Sequence, residues 1–326
     1  MSGHADIRSI RTRFVEWLPR TVDRRVRVAA WATLIAQTLI VGTGGAVRLT
    51  GSGLGCPTWP RCTPESFINT PEMGIHGIIE FGNRLLTFAL IAIAIVMFLF
   101  VVRMRRDRPE LFRLSVVIGL GIPFQGVIGG ITVLTGLNPY IVGLHFVLST
   151  VLVVLSTVLL FRVYRGARGD YVAAPRWFVR TAWVSSVTVA VTIVVGILVT
   201  GSGPHAGDHG AARNDLDPEL MQHLHSYPAY ATLALTLVLL VAAVRLRLAR
   251  VVPFVVGLLA VEAVQILVGI TQARLGLPEI LVGIHMVLAC VLASAMTAVI
   301  LSMRQQVETE SDDEIATLEA RVAATN

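Results

Sequence analysis

The stretch Gln265–His285, QILVGITQARLGLPEILVGIH, repeats the pattern of Gln125–His145, QGVIGGITVLTGLNPYIVGLH, 140 positions earlier. Each copy begins with a glutamine, carries a Gly-Leu pair near its middle and ends in Val-Gly, an aliphatic residue and a histidine. Each histidine lies within a long apolar run, where an imidazole without a partner is costly. The repeat therefore predicts two structural halves, and the two histidines suggest one shared chemical role.

The composition is that of a membrane protein. Of the 326 residues, 54% are hydrophobic and 15% are charged, and the mean hydropathy is +0.72. This balance excludes an ordinary soluble enzyme. All 27 basic residues are arginines, and the formal net charge is +6. Because the arginines cluster at the ends of apolar runs, they indicate membrane topology, and we expect no nucleic-acid partner.

Eight apolar runs are each long enough to cross the hydrocarbon core as a helix. We predict spans at 28–48, 75–102, 114–134, 140–163, 178–200, 222–244, 251–272 and 279–303. The predicted fold class is an all-α polytopic membrane protein, built as two pseudo-symmetric parallel four-helix bundles. Four spans return the chain to the side on which it started, so both halves should have the same orientation.

The distribution of arginines orients these spans. Seven arginines precede the first span, and further clusters fill the second, fourth and sixth connections, whereas the other connections carry few. The positive-inside rule therefore predicts a multi-pass protein of the cytoplasmic (inner) membrane with both termini cytoplasmic. No cleavable signal peptide is expected, because the Arg-rich start leads into an apolar run long enough to span.

The same pattern divides the chain into five segments. They are a cytoplasmic Arg-rich segment (1–27), an N-terminal bundle (28–163), a cytoplasmic linker (164–177), a C-terminal bundle (178–303) and an acidic cytoplasmic tail (304–326). The tail is expected to be solvated and partly disordered, since it is acidic and lacks apolar residues in a regular pattern.

Histidines lie at similar depths in the two halves. His76 and His225 fall in the first turns of the second span of each half, and His145 and His285 lie about one and a half turns into the fourth. Two imidazoles at one depth on two helices of a bundle suit axial ligation of heme iron. Each could instead be a core histidine bonded to a carbonyl, but the duplicated pattern favours ligation for His225 with His285. Zinc is a weaker option, because no carboxylate or thiolate lies at that depth in the second half.

The other histidines carry less information. His205 and His209 lie in the hydrophilic fifth connection, where a solvated loop is the expectation. His223 is two residues from His225 and should point to the opposite side of the helix.

Glu80 is a carboxylate two turns into an apolar helix, so it must be neutralised, paired or used. Arg84, four residues later, offers an intrahelical ion pair that needs no catalysis. Because Glu80 lies at the depth of His145, we favour a direct role beside a bound substrate.

Cys56 and Cys62 lie in the first outer loop. Oxidation outside the cytoplasmic membrane predicts a disulfide, with two free thiols as the alternative. The spacing of the pair and the absence of a following histidine exclude a heme-attachment motif.

Together these motifs resemble heme A synthase of the bacterial cytoplasmic-membrane type. The resemblance covers nearly all eight spans. Its specific segments are Thr50–Cys62 with its Cys-Pro and Trp-Pro pairs, Ile79–Arg84, Leu144–Phe146, Gln222–His225 and Ile284–Met286.

The resemblance implies an enzyme, an oxidoreductase that oxidises the C8 methyl group of heme O to a formyl group by successive hydroxylations. The product, heme A, would supply cytochrome c oxidase. The resemblance also implies a heme b cofactor held in the C-terminal half by His225 and His285, which ligate its iron. In the N-terminal half it implies a substrate heme site, with Glu80 as the catalytic residue and His145 on the substrate iron.

As partners the resemblance implies heme O, heme O synthase (protoheme farnesyltransferase), the assembly of cytochrome c oxidase and membrane lipid, and it leaves a homo-oligomer open. The paired loop cysteines of the family match Cys56 and Cys62. Two features depart from the family. A histidine common in the second span is replaced by Asn83, and a second cysteine pair, in the fifth connection, is absent. His76, two turns before Asn83 on the same helix face, is the candidate replacement ligand.

Three other classes use a similar architecture. A bis-histidine b-type membrane cytochrome would carry electrons without converting heme, and a heme carrier or oxidase assembly factor would not be catalytic. A secondary transporter is disfavoured, because its polar groups usually lie near the bilayer midplane, whereas here they lie toward one surface.

Overall fold

Our computed structural model describes residues 12–13, 15–165, 170–172 and 174–306. This part of the protein contains eight long helices. They are α1 (Arg24–Leu49), α2 (Gly74–Val101), α3 (Pro109–Leu134), α4 (Pro139–Val163), α5 (Arg176–Ser202), α6 (Pro218–Arg245), α7 (Val252–Arg274) and α8 (Glu279–Ser302). All eight are long and apolar enough to cross a membrane, which confirms the predicted spans. Short 3-10 turns, Pro71–Met73 and Val102–Met104, flank α2.

Some predictions concern residues outside the described ranges. They are Arg8 and Arg11 of the N-terminal arginine cluster, Arg168 of the linker, and the tail from residue 307 onward.

Several helices begin at a side chain that accepts hydrogen bonds from free backbone N–H groups. Asp23 accepts from the N–H of Val26 at the start of α1, Asn138 caps α4 and Asp217 caps α6. The first residue of α4 and of α6 is a proline, whose missing N–H costs nothing at that position. These residues place the starts of α4 and α6, and hence the depth of the histidines that follow.

The turns between α3 and α4 and between α7 and α8 have the same shape. Gly136 and Leu137 have φ of 60° and 61°, and Gly276 and Leu277 have φ of 74° and 62°. Two successive residues in the left-handed region make a tight reversal, and glycine accepts that conformation without strain at the first position. The predicted Gly-Leu pairs are therefore the turns of two similar helix hairpins.

Helix contacts group four helices in each half. In the first half α1 packs on α2, α2 on α3, α3 on α4 and α4 on α1, and in the second half α5, α6, α7 and α8 form the same ring. The halves meet where α1 packs on α8 and where α4 packs on both α5 and α8.

The densest apolar packing lies near one end of each ring, the arginine-rich end, where α1 begins and α8 ends. Val26, Met97 and Leu159 are buried there in the first half, and Phe178 and Leu239 in the second. The opposite end, called the loop end below, holds the histidines. That the arginine-rich end faces the cytoplasm stays a prediction.

A short antiparallel strand pair joins the linker to the tail at the arginine-rich end. Strand β1 (Asp170–Val172) pairs with β2 (Arg304–Gln306). Arg165 donates a hydrogen bond to the carbonyl of Arg304 beside it. The first three residues of the predicted tail are therefore paired with the linker through their backbone.

Candidate functional site

His225 and His285 face each other at the loop end of the second half. His225 lies two turns into α6, and His285 lies at a similar depth in α8. Their ring centroids are 6.2 Å apart and the ring planes differ by 70°. Among the ring contacts of the described residues, this pair is the one formed by two histidines.

The surroundings of His225 orient its ring. Its Nδ1 lies 3.0 Å from the carbonyl oxygen of Thr192 on α5, and since a carbonyl only accepts, Nδ1 carries the proton and Nε2 is left as a ligand atom. A Cβ at Gly196 would lie 2.9 Å from Cε1 of His225. A larger residue at position 196 would therefore displace the ring.

His285 shares the tight packing of His225 but not its hydrogen bonding, because the described polar neighbour of its ring is Nε2 of Gln265, which lies 3.4 Å from Nε2 of His285. A Cβ at Gly269 would lie 3.1 Å from Cε1 of His285, so a glycine is needed here too. Gln265 donates to the carbonyl of His285 at 3.2 Å, while Nδ1 of His285 is buried without a hydrogen-bond partner among the described residues. Such an orphaned buried polar atom calls for an explanation.

A heme fits the spacing of these two rings. A metal–nitrogen bond of about 2 Å on each side places two imidazole centroids about 6 Å apart, close to the observed 6.2 Å. The part of the chain that the structure describes holds no group of three or more His, Cys, Asp or Glu side chains suited to a bare metal ion. Two imidazoles suit the two axial positions of a porphyrin better than the four-ligand shell of zinc.

In the first half a disulfide loop covers the loop end. Cys56 and Cys62 are disulfide-bonded, as predicted, and both are fully buried. Trp59, between them, packs flat on α3, where a Cβ at Gly130 would lie 2.3 Å from the indole ring. The loop therefore forms a lid over the first bundle.

Glu80 anchors this lid. Its Oε2 accepts a hydrogen bond from the backbone N–H of Cys56 at 2.5 Å, and its Oε1 forms an ion pair with Nη2 of Arg84 at 2.5 Å. Arg84 in turn donates to the carbonyls of Cys56, Thr58 and Arg61. Glu80 is only 5% exposed. The intrahelical pair considered from the sequence is present, and it also holds the backbone of the lid.

The histidines of the first half are placed differently from those of the second. His145 is partly buried, with a Cβ at Gly129 lying 3.4 Å from its Cε1, and its Nδ1 has no hydrogen-bond partner among the described residues. His76 is exposed, and its Nδ1 lies 2.9 Å from Oγ of Ser52 in the lid. The described ring contacts do not pair His76 with His145. His76 therefore contacts the start of the first outer loop, and its ligation of the substrate iron stays a prediction.

Asn83 takes the place in α2 that His225 takes in α6. Its Oδ1 accepts a hydrogen bond of 2.7 Å from the hydroxyl of Thr43 on α1, whereas Nδ1 of His225 donates to the backbone carbonyl of Thr192 on α5. Each residue thus faces the first helix of its own half. An amide held by a hydroxyl is a poor iron ligand compared with an imidazole.

The two glutamines of the repeat also have a structural role that the sequence did not reveal. Gln125 donates to the carbonyl of His145 at 3.0 Å and to the hydroxyl of Ser149 at 2.5 Å, and Gln265 donates to the carbonyl of His285. Each glutamine therefore ties the helix before the turn to the helix that carries the histidine.

Glu262 is a buried polar residue that the sequence analysis missed. It lies midway along α7 and is 4% exposed, and its Oε1 accepts a hydrogen bond of 2.7 Å from Thr236 on α6. Its Oε2 is buried and has no partner among the described residues. The available signal was a carboxylate inside a predicted span.

The fifth connection is more ordered than a solvated loop. Its Ala206, Ala211 and Asn214 are buried, and His205 is partly buried with Nε2 2.9 Å from the carbonyl of Leu277. The expectation for His205 was therefore wrong, because this segment packs on the turn between α7 and α8. His209 and His223 are exposed.

Known proteins share sequence similarity with this chain. The family described as cytochrome oxidase assembly protein matches residues 27–297, from α1 into α8. The chain belongs to the cytochrome oxidase assembly protein family. Similar proteins include heme A synthases of Alkalihalophilus pseudofirmus (31% identical over 144 residues, 43% of this chain and 48% of the relative) and Geobacillus thermodenitrificans (31% over 156 residues, 48% of each). A third is the heme A synthase of Listeria welshimeri, 30% identical over 148 residues, 43% of this chain and 47% of the relative.

The chain spans about half the length of these curated relatives. The family match and the relatives confirm the expected resemblance to the heme A synthase family, and the eight apolar helices make this member a multi-pass membrane protein.

Proposed function

We propose that this family member is a heme A synthase, which oxidises the C8 methyl group of heme O to a formyl group by successive hydroxylations. The observation that carries the proposal is the difference between its two halves. The second half pairs His225 with His285 at 6.2 Å, whereas the first holds a single partly buried histidine, His145, beneath a lid. The names of the relatives, heme A synthases, support a role in the formation of heme A.

In this proposal the second half would hold heme b through the imidazoles of His225 and His285. When bound, such a heme supplies one-electron transfer. The carbonyl of Thr192 keeps the proton on Nδ1 of His225 and so leaves Nε2 as the nitrogen that would bind iron. Gly196 and Gly269 leave room for the two rings. A heme held by two imidazoles would serve electron transfer and not the binding of substrate.

The first half is the proposed site of heme O. His145 binds the substrate iron from α4, while Asn83, at the place of a second ligand, is engaged by Thr43. A substrate iron held on one side keeps a coordination position free, which an oxidation reaction can use. The lid with Trp59 excludes water from the side of the loops.

In this site Glu80 is a positioning residue for the lid. Both carboxylate oxygens are already bound, one to the backbone of Cys56 and one to Arg84, so the residue fixes the lid relative to α2. The sequence predicted a catalytic role at the substrate, and a proton-accepting role would require one of these bonds to open.

We also propose where the protein acts and which proteins come before and after it. Heme O synthase would deliver the substrate, the product would enter the assembly of cytochrome c oxidase, and the protein would lie in the cytoplasmic membrane with both termini in the cytoplasm. The arginine distribution supports this orientation.

The test is to purify the protein from cells with and without heme O synthase and to separate the extracted hemes by chromatography. We expect heme b in both preparations and heme A only when heme O is supplied. A preparation without heme would overturn the proposal. Heme b in both preparations without heme A would favour a bis-histidine cytochrome, the second candidate, which rests on the same pair of histidines.

A further inference from the structure

The loop end of α1, a helix of the first half, reaches over the second half. A Cβ at Gly283 on α8 would lie 3.2 Å from Leu49, and a Cβ at Gly45 would lie 3.5 Å from the end of the Met286 side chain. These contacts flank His285 along α8. The last turns of α1 therefore pack beside the candidate heme site of the other half.

Arg48, in the last turn of α1, lies at the loop end beside that site. Its Nε donates to the carbonyl of His205 at 2.8 Å and its Nη2 to the carbonyl of Thr200 at 3.1 Å. Thr200 is one turn along α5 from Gly196, the glycine that packs on His225. A cation from the first half is thus fixed about one helical turn from the histidine pair.

No described residue neutralises this cation. Both acceptors of Arg48 are uncharged carbonyls, and within the described ranges the ion pairs are those of Arg25, Arg84 and Arg108. Arg213 lies close to Arg48, because it donates to the carbonyl of Pro204, the residue before His205, and it too binds only carbonyls among the described residues, those of Ala211 and Pro204. Two adjacent guanidinium groups with no anion are unfavourable, and a carboxylate between them would relieve the repulsion.

We propose that Arg48 and Arg213 bind the propionate carboxylates of the heme held between His225 and His285. This inference rests on the proposed function. Nη1 of Arg48 has no partner within the described part of the chain, so the guanidinium keeps donors for a carboxylate. The propionates are the anionic groups of a heme, and the two arginines are cations at the same end of the half as the histidine pair. The first half would then supply a binding residue for the cofactor of the second.

The experiment measures how fast heme leaves the purified full-length protein when excess apomyoglobin captures it. We expect Arg48→Gln to release heme about tenfold faster than wild type, because a charge-assisted hydrogen bond is lost. Arg48→Lys, which keeps the charge, should lie between the two. Arg274→Gln is the matched control, since it removes an exposed arginine from the same end of the second half and should leave the rate unchanged.

A second arm uses the dimethyl ester of iron protoporphyrin IX, whose propionates carry no charge, loaded into heme-free protein. Wild type and Arg48→Gln should release the ester at equal rates. Equal acceleration of heme and ester release by Arg48→Gln would show a structural role and overturn the inference.

Two further outcomes separate this inference from the proposed function. Wild-type protein that holds no heme would refute both. Wild-type heme that leaves Arg48→Gln at the normal rate would refute the propionate site alone, and if that variant also loses bound phospholipid phosphate, the anion is a lipid headgroup and not the propionate.

Discussion

The two four-helix halves share one framework and differ at two places. In both, a glutamine holds the carbonyl of the histidine that ends the repeat, as Gln125 does for His145 and Gln265 for His285. The halves differ in the second helix, where Asn83 stands against His225, and in the outer loop that follows the first helix. The shared framework thus places one imidazole in each half. The residue in the second helix, Asn83 or His225, determines whether a second imidazole faces it.

The outer loops are also fastened in different ways. The first half fastens its own loop, through a disulfide and through the ion pair of Glu80 with Arg84. The loop of the second half is held from both halves, because Arg48 of the first half donates to the carbonyl of His205 and His205 contacts the carbonyl of Leu277 in its own half. Charge is therefore balanced within the first site, whereas the second site has a cation without a described anion.

Removing either histidine of the pair should remove the main difference between the two halves and have the largest effect on heme binding. His225→Ala or His285→Ala should lower the affinity for heme b by more than about 100-fold, since loss of a ligand exceeds loss of its supporting contacts. Pyridine hemochrome spectra of purified protein measure the bound heme. His223→Ala, on the same helix but exposed, is the control and should keep heme b. Full heme content in both alanine variants would contradict the assignment.

An intermediate effect is expected at the anchor of the lid. Glu80→Gln should keep heme b and still bind heme O, yet form heme A about 100-fold more slowly, because the lid and any proton transfer both depend on the carboxylate. It also leaves Arg84 unpaired, at a cost of about 3 kcal/mol. Extracted hemes and thermal unfolding measure the two effects.

The double variant Glu80→Gln with Arg84→Gln separates these roles. If it restores stability but not heme A formation, the carboxylate acts on the reaction as well as on the lid. If Glu80→Gln alone forms heme A at the wild-type rate, Glu80 has neither role.

The smallest effect is expected from making the first half more like the second. Asn83→His should add an imidazole opposite His145 and slow the release of heme O about tenfold, at the loss of the hydrogen bond to Thr43. Retention of heme O after washing and the appearance of a low-spin spectrum measure the change. Asn83→Gln, which cannot ligate iron well, should do neither. Equal retention in all three proteins would mean that position 83 does not face the substrate iron.

The fold could be predicted from the sequence to within a few residues, since a helix in lipid must satisfy its own backbone and so needs a long apolar run. The repeat also indicated the paired positions of His145 and His285 without any structure. Both inferences depend on patterns along the chain, which the sequence displays directly.

The contacts that give the site its character depend on tertiary packing instead. Spacing revealed Arg84 as a partner of Glu80, but not the N–H of Cys56, which comes from a loop 24 positions away. Likewise Thr43 lies 40 positions from Asn83 and His205 lies 157 from Arg48. No local sequence pattern predicts such partners. Helix periodicity made His76 a candidate ligand in the same way, but it could not predict that His76 contacts Ser52.

The strand pair at the arginine-rich end brings the two ends of the second half together. The chain enters that half just after β1 and leaves it just before β2, and Val172 pairs with Arg304 across the gap. The two ends of the half therefore meet at one point, as they do in modules that are inserted into a host chain. Duplication of such a closed unit requires only a short splice, and a fluorescent protein fused beyond Gln306 would start at the seam between the halves.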